Sequence, residues 1–419
     1  MVVLVFVGLV FVAHLYLWHR MVRSTTRRGR VRTGLTWGLV GLLALVVVTF
    51  AGMRLEMFQW LAWPGYLWIA IMFYLVIALV LLEIPRLVAW SALVRGRVAV
   101  SSLSPPSPVE VVRPVTVPAS DISDISGFGQ VSGVESSPGG DAMSRRLFLG
   151  RTTAAVAGVG ALGTVGYGIS AALGDPVIEP VKVTLAGLDS RLSGLRFAVV
   201  SDIHLGPLTG KAHTERIVRM INGLRADVVA IVGDLVDGSV AELGPLARPL
   251  QSLESRYGAY FVTGNHEYYT RNGPGEWIEE LDRLGVRSLR NERVEIRHQG
   301  GVLDLAGVND LNGATANDGP DFDRALGGRD TSRSTVLLAH QPVQVSQAAR
   351  YGVDLQLSGH THGGQLAPFN LVVPLQQPVV SGLATVDGVQ VYVTRGAGFW
   401  GPPVRVGAPP EITLLELRA

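Results

Sequence analysis

The chain has nine histidines in 419 residues, and two of them, His360 and His362, stand one residue apart in SGHTHGGQ, Ser358–Gln365. In extended backbone, residues i and i+2 point to the same side, about 7 Å apart. A pair of imidazoles held this way suits a metal site. Three more histidines sit among other potential ligands, in Asp202-Ile203-His204, in Gly264-Asn265-His266-Glu267 and in His340-Gln341-Pro342. Two aspartates, Asp234 and Asp237, lie in GDLVD, Gly233–Asp237. Imidazole nitrogen together with carboxylate and amide oxygen fits Mn, Fe, Zn or similar ions. The chain has no cysteine, which excludes thiolate chemistry, Cys-ligated zinc and disulfides. His14, His19, His213 and His298 lack such neighbours and are expected at the surface or at the edges of apolar segments.

Each of these segments follows an apolar, β-branched run. LRFAVVS leads into Asp202, VVAIV into Gly233, AYFVT into Gly264, TVLLA into His340 and DLQLS into Gly359. Between several of them lie amphipathic stretches, such as Thr214–Leu224 and EWIEELDRL, that read as helices. The alternation predicts an α/β domain, and the crowding of late strands (LDLAGV, VQVYVT) predicts a mixed sheet or two packed sheets. Ligand sites in such sheets lie beyond the carboxyl ends of the strands. One such segment alone would be an ordinary turn; five in order make a site.

The series DxH, GDxxD, GNHE, a further His and GHxH resembles the calcineurin-like metallophosphoesterase family over Leu195–Gly364, and less specifically from Val181 onward. SGHTHGGQ is similar to the YkuE-like branch, whose members are often membrane-attached or exported by the twin-arginine route. The resemblance implies an αββα sandwich of two packed mixed sheets flanked by helices, with two divalent metal ions as cofactors. Asp202, His204 and His362 would hold the first ion, Asn265, His340 and His360 the second, and Asp234 would bridge both. A water shared by two cations loses its proton near neutral pH and attacks phosphorus. His266 would act as general acid, oriented by Asp237. Glu267 is expected only to cap the next helix. Asn309 and Asp310 read equally as a turn and as a substrate contact, and Arg395, in a Gly-rich loop, is a candidate phosphate ligand.

Ahead of this domain the composition changes. Met1–Trp18, Leu35–Gly52 and Leu61–Leu82 are apolar runs close to the ~20 residues that span a bilayer. The loop after the first run carries Arg20, Arg23, Arg27, Arg28, Arg30 and Arg32, which predicts a cytoplasmic loop. The expected organisation is a three-helix transmembrane module over 1–98 and a disordered Ser/Pro/Gly-rich linker over 99–143. At 144–174 two readings stand, a twin-arginine-like signal built on Arg145 and Arg146 or a fourth transmembrane helix. Either one delivers the domain at 175–419 to the extracytoplasmic side of the cytoplasmic membrane.

The expected function is therefore a multi-pass, membrane-anchored phosphoesterase acting on phosphodiesters of lipid or cell-wall type. Its expected partners are the phosphoester, lipid-linked or not, the bilayer and the twin-arginine translocation machinery. A net charge of +2 gives no footprint for nucleic acid. The alternative is a catalytically silent, membrane-tethered metal-binding or sensory module. A small transporter is a third reading, disfavoured because the apolar runs lack the paired charges that mark a transport pathway.

Overall fold

The computed structural model describes residues 2–54, 57–100, 145–270 and 272–419. Four long helices come first: α1 (Val2–Leu17), α2 (Arg30–Arg54), α3 (Ala62–Val100) and α4 (Arg145–Leu173). Among the described residues, three segments are long and apolar enough to cross a membrane, Arg30–Met53, Gln59–Pro85 and Leu147–Leu173. The first apolar run divides differently: α1 has 16 residues, and a short π-helix, Trp18–Arg23, continues it. Helix α3 extends to Val100, past the expected start of the linker, and residues 101–143 of that linker, with residue 144 after it, lie outside the described residues. Small residues let the helices pack closely. Ala157, Ala161 and Val165 of α4 are buried in one cluster with Val10, Val46 and Ala70 of the other three helices.

Twelve strands follow, in two six-stranded mixed sheets. The first contains β1 (Val177–Thr184), β2 (Arg196–Val200), β3 (Val228–Val232), β4 (Ala259–Val262), β5 (Val286–Ser288) and β12 (Glu411–Arg418), in the order β1-β12-β2-β3-β4-β5. The second contains β6 (Glu292–His298), β7 (Gly301–Gly307), β8 (Thr335–Leu338), β9 (Leu355–Ser358), β10 (Gly382–Val386) and β11 (Val389–Val393), in the order β10-β11-β9-β8-β7-β6. Strands β2, β3, β4 and β5 are parallel, as are β7, β8, β9 and β11. Such sheets must be covered on both faces, so their central strands read as continuous apolar runs.

The period of two along each strand sorts these side chains into layers. Phe197, Val199, Ala230, Val232 and Val262 of the first sheet meet Leu305, Val336, Leu338, Leu355 and Leu357 of the second. Ala198, Val200, Val229, Ile231 and Phe261 face the other way. They pack against Ile217 and Ile221 of α5 (Lys211–Gly223), Leu243 of α6 (Val240–Ala247), and Trp277 and Leu281 of α7 (Gly275–Arg283). On the far side, Leu337, Val391 and Val393 meet Phe322 of α8 (Phe322–Leu326) and Val345 and Ala348 of α9 (Val345–Ala348). The result is the αββα sandwich.

Trp277 ties this packing to the polar loops. Its ring is fully buried, and its indole N–H donates to the Gly238 carbonyl at 2.8 Å, just after Asp237. We expect Trp277→Ala to cost about 3–5 kcal/mol and Trp277→Phe about 1 kcal/mol, chiefly the lost hydrogen bond. Chemical denaturation of the full chain in detergent measures both.

Candidate metal centre

Strands β2, β3, β4, β8 and β9 all end at one edge of the sandwich, and the residues that follow them converge there. His204 Nε2 lies 3.1 Å from His362 Nε2, and His362 Nε2 lies 3.2 Å from Asp202 Oδ1. His340 Nε2 is 3.2 Å from Asp234 Oδ2, and His204 Nε2 is 3.9 Å from the same oxygen. Two groups of candidate ligand atoms result, Asp202/His204/His362 and Asp234/His340/His360, with Asp234 reaching His204 between them. A third group, His204/Asp234/His266, overlaps the other two.

Hydrogen bonds from outside the cluster set which atoms face it. His340 Nδ1 donates to the Val232 carbonyl at 2.8 Å, which joins the end of β8 to the end of β3. His204 Nδ1 and His266 Nδ1 both donate to Asp237 Oδ1, at 2.8 and 2.7 Å. Asp237 thus orients two imidazoles where one, His266, is expected from the sequence. Asp202 accepts from the His360 main-chain N–H at 2.9 Å, and Asp234 Oδ1 from the His266 N–H at 2.8 Å. Gly359 lets these segments meet: a Cβ there would stand 1.9 Å from Ser201 Oγ and 2.4 Å from Asp202 Oδ2.

The donor set fits cations. Asn265 Oδ1 is buried without a hydrogen-bond partner, which is costly unless something else engages it, and His340 Nε2 meets only the Asp234 carboxylate, at 3.2 Å. Burial holds His360 and His362 down to about 4, so both are neutral at pH 7, the form that offers a lone pair to a metal. Burial alone would raise the carboxyls of Asp202, Asp234 and Asp237. Neighbouring imidazoles outweigh it: His362 for Asp202, His340 for Asp234 and His204 for Asp237, so all three stay well below the usual carboxylate range. Burial works against a charged His266 as well, but Asp234 and Asp237 prevail and push it up to about 9.

Glu267 is the residue whose importance the sequence hid. It does not cap a following helix; its carboxylate is fully buried and accepts from the main-chain N–H groups of Gly264 (2.6 Å), Leu235 (2.8 Å), Asp234 (3.1 Å) and Val236 (3.3 Å). Burial, reinforced by Asp234, pushes it up to about 7. Two further residues were equally hidden. Arg405, fully buried, donates to the carbonyls of His362 and Gly398, and Gln365 donates to Trp400 O at 2.9 Å while accepting from Trp400 N. No local motif marks Arg405, and SGHTHGGQ ends on Gln365 without showing what its side chain holds.

Other candidates fall outside the cluster. Arg395 is held by carboxylates, 2.9 Å from Glu411 Oε2 and 3.3 Å from Glu179 Oε2. Asn309 donates to Asp318, and Asp310 takes the turn role: it accepts from Asn312 N at 2.8 Å and from Gln341 Nε2 at 2.9 Å. His14, His213 and His298 are buried, not at the surface: His14 bonds Val10 O and Trp68, His298 bonds Tyr257, and burial lowers His213 to about 4.

Residues 195–364 match the family model described as calcineurin-like phosphoesterase. A zebrafish "transmembrane protein with metallophosphoesterase domain" is 41% identical over 261 residues, 60% of this chain and 60% of that protein. A metallophosphoesterase of Helicobacter pylori strain J99 is 40% identical over 262 residues, 61% of this chain and 68% of the relative. The Bacillus subtilis metallophosphoesterase YkuE is 27% identical over 286 residues, 66% of this chain and 98% of YkuE. The chain belongs to the metallophosphoesterase family. It spans about three fifths of the length of the zebrafish protein.

Removing the Glu267 carboxylate strands four buried N–H groups at once. We expect Glu267→Ala to lower the unfolding free energy by about 3 kcal/mol or more and to reduce bound metal. Denaturant titration paired with elemental analysis tests this; an unchanged midpoint would show that water replaces the carboxylate without loss.

Proposed function

We propose that the chain is a membrane-anchored phosphoesterase with a dinuclear metal centre, acting on phosphodiesters of lipid or cell-wall type. The observation that carries this reading is the convergence of Asp202, His204, Asp234, His340, His360 and His362 beside a His266–Asp237 pair, with the unpartnered Asn265 Oδ1 next to His266 in the chain. In this reading Asp202, His204 and His362 hold one cation, Asn265, His340 and His360 the other, and Asp234 is shared. When bound, two such cations supply a water of lowered pKa and neutralise charge on the phosphoryl oxygens. Asp237 keeps the His266 ring oriented and favours its protonated form. His266 then gives its proton to the oxygen that leaves phosphorus. Holding metal alone would not require that second pair.

The helix arrangement supports a catalytic domain on the extracytoplasmic side. Helix α2 has 25 residues and is therefore about 37 Å long. The arginine-rich loop lies at its start, where the Trp18 indole donates to Thr36 and Arg151 of α4 donates to Thr25 O. The catalytic domain sits at the opposite end, where Gln59 donates to Glu242 of α6. Arginine-rich loops stay in the cytoplasm. The burial of α4 among the other helices favours the fourth membrane helix over a cleaved signal.

The test uses the full chain in detergent, stripped of metal and reloaded with Mn, Fe or Zn, on an aryl phosphodiester and its monoester. Metal-restored hydrolysis is expected, with the diester preferred. Asp234→Asn should bring metal at both positions to background. His266→Ala should retain metal and lower kcat by about 10²–10⁴-fold. Loss of metal in that variant counts against the acid role, and a folded, metal-loaded chain inert towards every phosphoester favours the silent metal-binding module.

A further inference from the structure

A cavity of about 610 Å³ opens directly onto the candidate centre. His204, Asp237 and His266 line its floor. It is also lined by Phe50 and Met53, in the last two turns of α2, and by Tyr66, in the second turn of α3. A volume of this size accommodates a sizeable small-molecule ligand. Part of the lining is therefore polar and chemical, while another part consists of apolar ends of two segments long enough to cross a membrane.

Contacts hold the helices against the domain that carries this floor. The Arg405 N–H donates to the Gly168 carbonyl of α4 at 2.9 Å, and a Cβ on Gly168 would stand 2.4 Å from the Val404 side chain. Val404 is fully buried within the helix cluster, and Leu366 and Val406 pack against it. Gln365, three residues beyond His362, fixes Trp400 at the cavity rim, with its ring edge-on to His266 at 6.0 Å between centroids.

The depth of the cavity follows from its neighbours. Trp60 and Phe58 are exposed beside the start of the Gln59–Pro85 span, and Trp63 lies one turn further in. Exposed tryptophans at the ends of membrane spans sit at the lipid headgroup level. Phe50, Met53 and Tyr66 lie within a turn or two of that level. Beyond Leu366, the loop after GHTHGGQ exposes Phe369, Leu371 and Leu375. A phosphate that reaches the floor from this side is at headgroup depth, and whatever it is attached to meets apolar helix surface.

We infer that the substrate is a membrane lipid phosphoester cleaved without leaving the bilayer. Its phosphate lies over the Asp/His cluster and its apolar chain runs along Phe50, Met53 and Tyr66. This rests on the phosphoesterase reading above and specifies its substrate. The reaction balances as hydrolysis: water adds to phosphorus, one P–O ester bond breaks, the departing oxygen takes the proton of His266, and the proton the water gives up restores His266 through solvent. No oxidant or reductant enters.

The test is a series of p-nitrophenyl alkyl phosphodiesters with methyl, octyl and hexadecyl chains, offered to the full metal-loaded chain in phosphatidylcholine nanodiscs. We expect kcat/KM to rise about tenfold or more from methyl to hexadecyl, and the hexadecyl-to-methyl ratio to fall about fivefold or more in Met53→Asp and in Trp400→Ala. The ratio matters because partitioning into the bilayer concentrates long chains for wild type and variants alike. Trp400 is 51% exposed, so its truncation leaves folding intact and decides the matter if Met53→Asp misfolds. Methyl ester hydrolysis without chain-length preference, or a ratio unchanged in the variants, overturns the lipid inference and leaves the phosphoesterase reading standing. Absence of hydrolysis across the whole series overturns both.

Discussion

One buried carboxylate organises the site from below. Glu267 gathers main-chain N–H groups from two loops, GDLV and GNHE, that follow different strands. With both loops pinned to one carboxyl group, Asp237 meets the His266 ring at 2.7 Å and Asp234 accepts from the His266 main-chain N–H at 2.8 Å. Those N–H groups are turned away from the sheet ladder and buried, so leaving them unpaired would cost far more than the hydrogen bonds gain. The same group lies near Asp234, and the charged Asp202, Asp234 and Asp237 make this edge of the sandwich a concentration of negative charge needing compensation. Imidazoles compensate part of it, and cations at the Asp/His/Asn cluster would compensate the rest.

Strain accompanies this arrangement. Asp202 (φ 52°), His204 (49°), Asp234 (50°), His360 (70°) and His362 (51°) all occupy the left-handed region that non-glycine residues rarely adopt. Each such residue costs about 1 kcal/mol or more. They persist because the backbone is held on both sides. Asp202 N donates to Gly233 O, His204 N to Asp234 O and Gly359 N to His340 O, so one loop fixes the next. The left-handed turn throws each side chain back over the strand end instead of along it. That reversal brings candidate ligands from three strands, β2, β3 and β9, to one point, while Asn265 reaches it from right-handed backbone.

The strands and their polar ends were legible in the sequence because both rest on local pattern. A run such as VVAIV is buried on two faces in a parallel sheet, and GDLVD marks where it stops. Seven candidate ligands and the His266–Asp237 pair were readable for the same reason. Glu267, Gln365 and Arg405 were not, since each acts through main-chain groups contributed by distant segments. The pattern GNHE gives no hint that its last residue reaches back 33 positions to Asp234. Arg395 misled in the opposite sense: a glycine-rich loop suggested an anion site, whereas Glu179 and Glu411 already neutralise the guanidinium. His213 and His298 were misjudged because amphipathic context predicts exposure poorly for a side chain that can bury either ring nitrogen.

The helical module is more than a tether in this geometry. An anchor needs only a covalent connection, and here the strand-end loops themselves grip the helices. Arg405 illustrates the coupling: its main-chain N–H holds Gly168 of α4, while its guanidinium donates to the carbonyl of His362, a candidate ligand. Gln365 holds Trp400 across the same loop. A displacement of α4 must therefore be absorbed between Gly168 and His362, across a single buried residue with four carbonyls around its guanidinium. Such a residue has little freedom to reorient, because every N–H it released would be buried without a partner. The position of α4 and the geometry of the candidate centre are thus one constraint, and α4 in turn packs against α2 and α3, whose ends line the cavity.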